Sequence, residues 1–156
     1  MKRRRLTAAE LLARLPRGLT PKLSGAQKID LAICHHINHD AIVRGQAGTQ
    51  IMWDYVESVL AWWKVADLLA QARPDMTLQL GVATRLVEHY GRSATVQFVG
   101  HDIELARRGL MTMDQLADLV DQPTAVVAVM WARGEFNSLT ASSPSIQEAN
   151  VEAQAA

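Results

Sequence analysis

With 156 residues, 49% of them apolar and 21% charged, the chain is long enough for one domain with a full hydrophobic core, too short for two, and too ordinary in composition for wholesale disorder. Its longest apolar run, residues 125–132 (AVVAVMWA), falls far short of the ~18 residues that cross a bilayer. The single cysteine, Cys34, can form no internal disulfide, so the expectation is a cytoplasmic protein without membrane contact.

A formal net charge of zero hides a dipole. Residues 1–28 hold eight of the sixteen Lys and Arg against one acid, Glu10, whereas residues 29–156 hold eight bases and fifteen acids. Thr7 and Glu10 form a capping box (TAAE), and Leu11, Leu12 and Leu15 then make one apolar stripe before Pro16, which predicts a short basic first helix. Glu10 and Arg14 break any apolar stretch behind the charged opening and argue against a secretory signal. Residues 16–25 (PRGLTPKLSG) read as a linker.

Helix two is predicted over residues 27–43, with Gly45 as its stop. Ile29, Ala32, Ile33, His36, Ile37, Asp40 and Val43 share one side of it, and that stripe is expected to face the core. Thr49 is the expected N-cap of helix three, which runs to residue 72 before Pro74. There Met52, Tyr55, Val56, Val59, Leu60, Trp62, Trp63, Ala66, Leu69 and Ala70 span about half the circumference and mark the central helix of the core. Helix four is predicted over residues 76–90, closed by Gly91.

Helix five is predicted over residues 94–108, although TVQFV has the β-branched content of a strand. As a helix it has two apolar faces, with Val96, Val99 and Ile103 on one side and Phe98, His101 and Leu105 on the other; the second is expected to meet a partner protein or a second copy. Thr112 with Gln115 opens a sixth helix to residue 121. After Pro123, TAVVAVMWARG reads as a helix packed on the bundle in preference to a strand, and residues 134–156 read as a flexible tail.

The densest cluster of reactive side chains is CHHINH, residues 34–39. His36 and Asp40, at i and i+4 on the apolar stripe, are expected to form a buried hydrogen-bonded pair in preference to acid–base catalysis. His35 and His39 have the HxxxH spacing of two zinc ligands, with His89, His101, Glu88 or Asp102 left to complete the set. Asp67 lies inside the apolar arc of helix three and requires a partner, His36 or an Arg from another helix. Lys2, Arg3, Arg4 and Arg5 can neutralise phosphates without reading sequence. Trp53, at the edge of its arc, is a candidate partner contact. No phosphate loop, GxSxG elbow or paired-carboxylate motif occurs, so the reading leans away from an enzyme.

The segments LAICHHINHDAIVRG, WDYVESVLAWWKVADLLA and GRSATVQFVGHDIELARRG together resemble a loose group of uncharacterised small helical proteins carried by bacterial phages, plasmids and other mobile elements. That resemblance implies an accessory or regulatory role and assigns no catalytic residue. The expected architecture is all-α, a single irregular bundle of five to seven helices at residues 26–133, with a basic arm at residues 1–25 and the tail behind. The expected activity is protein–protein recognition, by a partner or as a homodimer, through Trp53, Phe98, His101 and Leu105. The alternatives are nucleic-acid binding by residues 2–5 and zinc binding at His35 and His39, with no other cofactor expected.

Overall fold

A computed structural model describes residues 20–142, which fold as an all-α bundle of five helices. In chain order they are α1 (Gly25–Val43), α2 (Thr49–Leu69), α3 (Arg73–Ser93), α4 (Asp102–Leu119) and α5 (Gln122–Ser142). The predicted first helix and the basic residues Lys2 to Arg5 lie outside the described residues, as does the chain beyond residue 142.

Local chemistry marks both ends of α1 and the start of α3. Ser24 caps α1: its hydroxyl accepts from the Gln27 amide (3.2 Å) while the Gln27 side chain accepts from the Ser24 amide (2.9 Å), a capping box that starts the helix two residues before the predicted point. Gly45, at φ +66°, stops it as expected. Pro74 sits in the first turn of α3, where its missing amide costs no helical bond.

Helix α2 is the spine and touches all four others. Its Met52, Trp53, Tyr55, Val59, Trp62, Val65 and Ala66 are buried, so the arc runs wider than periodicity indicates. Trp53, expected at the edge of the arc as a partner contact, is 6% exposed and meets Phe136 edge-on with ring centroids 5.6 Å apart. Phe136 belongs to the stretch expected to be a loose tail. Helix α5 instead continues through Gly134 to Ser142, because Phe136 packs on Trp53 and Arg133 bonds Glu57 (3.1 Å).

Two further expectations are corrected. Residues 94–101 are not the start of a fifth helix: Val96 bridges Ala47 in antiparallel fashion, and Val96 and Phe98 are buried between exposed Thr95, Gln97 and Val99, the alternation of an extended segment. The helix then begins at Asp102 and runs unbroken to Leu119, so the predicted fifth and sixth helices share one rod. Thr112 does not cap; its hydroxyl donates back to the Arg108 carbonyl (3.2 Å).

Helix α1 is turned over relative to its predicted stripe. Ile29, Ile33 and Ile37 are 60%, 51% and 60% exposed, while His35 and Ile42 are buried. Ile33 and Ile42 are nine residues apart, about 180° around the helix, so burying one exposes the other. Burial of Ile42 and of His35 against Trp62 sets this rotation, and two exposed polar contacts to α4 accompany it, Lys28 to Asp118 (2.8 Å) and His36 to Asp114 (3.2 Å).

Candidate functional site

The histidines of α1 divide by burial. His35 turns inward and its Nε2 accepts a hydrogen bond from the Trp62 indole (3.2 Å), with the two rings edge to face at 5.8 Å. Burial pushes the imidazole from 6.5 down to about 4, against a smaller opposing pull from Asp114. Accepting from an indole requires an unprotonated Nε2, so His35 is a neutral core residue. His39 lies half-buried with its ring 5.6 Å from that of Phe98, and burial, then the charge of His36, lowers its pKa as well.

The expected buried pair of His36 with Asp40 does not form. His36 is exposed and bonds Asp114 across to α4, and Asp40 pairs with Arg44 (2.9 Å) one turn along α1. The predicted stripe placed both inside; the rotation of α1 puts both outside. For zinc, His35 and His39 come from adjacent turns but their rings serve Trp62 and Phe98, and among the described residues no three His, Cys, Asp or Glu side chains converge on one point. Of the remaining ligand candidates, Asp102 is buried and held by Arg85 through two bonds of 2.8 and 2.7 Å, and His89 lies against Thr95 (3.3 Å). Asp67 does find the expected Arg from another helix: Arg73 reaches it at 3.1 Å, joined by Lys64 at 3.3 Å.

The expected partner face is dispersed. Phe98 is 4% exposed in the extended segment, stacked edge-on with Tyr55 at 5.4 Å; His101 is exposed ahead of α4; Leu105 packs partly against the core. Its premise was a helix through residue 98, and an extended backbone sends alternate residues to opposite sides instead.

Two other surfaces take its place. The first is the outer row of α1, Ile29, Ile33 and Ile37, spaced i, i+4, i+8 as one ridge. The second is an open cleft of about 790 Å³ between α1 and α5 with α2 beneath. Leu31, Trp62, Val65, Val126 and Val129 line it, Asp30, Asp54 and Glu57 stand among its polar groups with Arg133, and Leu23 and Gln122 also border it. Periodicity marks these isoleucines as one apolar row but points that row toward the core. It has no signal for the cleft, whose walls come from helices about ninety residues apart. The chain has no significant match among known protein families, curated proteins or solved structures. Among the described residues no helix is long and apolar enough to cross a membrane.

Proposed function

We propose that this is an accessory or regulatory protein of the cytoplasm that acts by protein–protein recognition, and that α1 is the recognising element, pairing with α1 of a second copy. The observation that carries the reading is the exposed isoleucine ridge. Three large aliphatic side chains in one row, each at least half exposed, form the kind of face that helices use to pack on one another.

The row is self-complementary. In an antiparallel pair centred on Ile33, Ile29 lies opposite Ile37 of the second copy, so apolar meets apolar under one two-fold axis. One helix face buries much less than the roughly 1,600 Å² of a standard interface, which predicts a weak, concentration-dependent dimer. The reading needs no cofactor.

Light scattering across a wide range of protein concentration tests it. The wild-type chain is expected to pass from monomer to dimer, and Ile33→Glu, which sets two carboxylates against each other on the axis, is expected to stay monomeric with an unchanged circular dichroism spectrum. A wild-type chain that remains monomeric throughout would remove the basis of self-recognition through α1.

A further inference from the structure

The cleft between α1 and α5 is separate from the outer ridge of α1, and three observations concern what fills it. Its lining is apolar, with Leu31, Trp62, Val65, Val126 and Val129 presented to a space of about 790 Å³. Its charge is acidic: Glu57 is matched by Arg133, but among the described residues Asp30 makes no ion pair and Asp54 accepts only from the neutral amide of Gln50 (2.8 Å). Its end is where the described chain begins. Thr20 donates to Asp121, the Gln122 amide donates to the Pro21 carbonyl (2.9 Å), Lys22 bridges Asp121, and Leu23 and Gln122 border the cleft itself.

We propose that the cleft seats this chain's own N-terminal segment, residues 7–15, bound in cis as an amphipathic helix. That segment has the complementary chemistry. Leu11, Leu12 and Leu15 form its apolar stripe, and residues 1–19 carry six Lys and Arg against Glu10 alone, so an apolar stripe meets an apolar floor and basic flanks meet Asp30 and Asp54.

The dimensions agree. A nine-residue helix is about 13 Å long, and the α1 wall from Gln27 to His35 and the α5 wall from Gln122 to Arg133 run about 12 and 17 Å. From Leu15 to the anchored Thr20 the tether spans five residue steps, up to about 17 Å, enough for the helix to turn back along the cleft. Pro16 ends the helix where the tether must begin. A tether this short holds the segment at a millimolar effective concentration, so modest intrinsic affinity keeps it seated.

Cys34 supplies the reporter, because it lines the cleft and is the only thiol in the chain. The rate of its reaction with dithiobis(nitrobenzoate) is measured in the full-length chain, in an Ile33→Glu background so that pairing through the outer ridge cannot shield it. Adding Leu11→Glu and Leu15→Glu, which leave every residue of the described bundle in place, is expected to speed the reaction about tenfold, and raising salt is expected to move the parent rate toward that of the variant. Protection must also be independent of protein concentration. Equal rates with and without the two leucine changes would overturn the proposal, and so would protection that grows with concentration, since the occupant would then be the arm of another copy.

Discussion

Ala70, Ala72 and Ala94 carry φ of 53°, 52° and 54°, the left-handed region that an L side chain enters at a cost of about 1 kcal/mol. All three lie at helix ends, and Ala94 is the residue after α3 whose amide donates to the Tyr90 carbonyl (2.8 Å). Sequence reading gave that stop to Gly91, but α3 runs on past it to Ser93, whose hydroxyl donates to the His89 carbonyl (2.8 Å). Helix propensity does not say which of several residues ends a helix; the Ala47 to Val96 bridge, which draws the chain out of the helix just beyond Ala94, does. Ala94→Gly is expected to stabilise the fold by about 0.5–1 kcal/mol, read as a higher urea midpoint at unchanged slope. A lower midpoint would show that the left-handed conformation is not the dominant strain at this position.

Between elements, Gly109 of α4 packs closely against α3. A Cβ built on Gly109 would lie 2.2 Å from Cδ and 2.3 Å from Oε1 of Gln79, itself 2% exposed and donating to the Leu105 carbonyl (2.8 Å). The glycine is required by spacing, since its helical backbone would suit alanine. Gly109→Ala is therefore expected to destabilise by about 1–3 kcal/mol despite the better helix propensity of alanine. Adding Gln79→Ala is expected to return part of that loss, and strictly additive effects in the double-mutant cycle would refute the contact as the cause. The sequence shows neither partner as special. The same limit explains α1, whose two candidate faces both carry aliphatic residues, and the choice between them goes with the burial of Ile42 and of His35 against Trp62 of another helix.

Taken as one molecule, the fold is sensitive to acid through groups that tertiary packing placed. The folded-state pKa of His35 is lowered from 6.5 to about 4, so between those values the unfolded chain binds a proton that the folded chain refuses, and stability falls as pH falls through that window. The full effect is on the order of 3 kcal/mol. His39 shifts in the same direction. For Asp121 burial acts to raise the pKa, but hydrogen bonds from Thr124 and Thr20 and the charge of Lys22 outweigh it and hold the carboxyl low, so its contribution persists above the ordinary carboxylate range and is lost only as pH falls further. Urea unfolding from pH 7 to 4 is expected to show a steadily falling midpoint. His35→Gln, which keeps an acceptor for Trp62, is expected to flatten most of that slope, and equal slopes in the two proteins would reject the assignment.

Amphipathic periodicity and capping chemistry by themselves determined that the chain is helical, that α2 is its centre and that α1 ends at Gly45, because hydrogen-bonded caps, proline and glycine act within a few residues of sequence. Tertiary structure alone decided the inward face of α1, the extended backbone of residues 94–101, the fusion of two predicted helices into α4 and the continuation of α5 to Ser142. Three of those outcomes go with a buried or paired contact to a distant residue, Trp62 for His35, Ala47 for Val96 and Trp53 for Phe136. A local pattern offers a helix several ways to pack, and the free energy of burial against a particular neighbour selects among them.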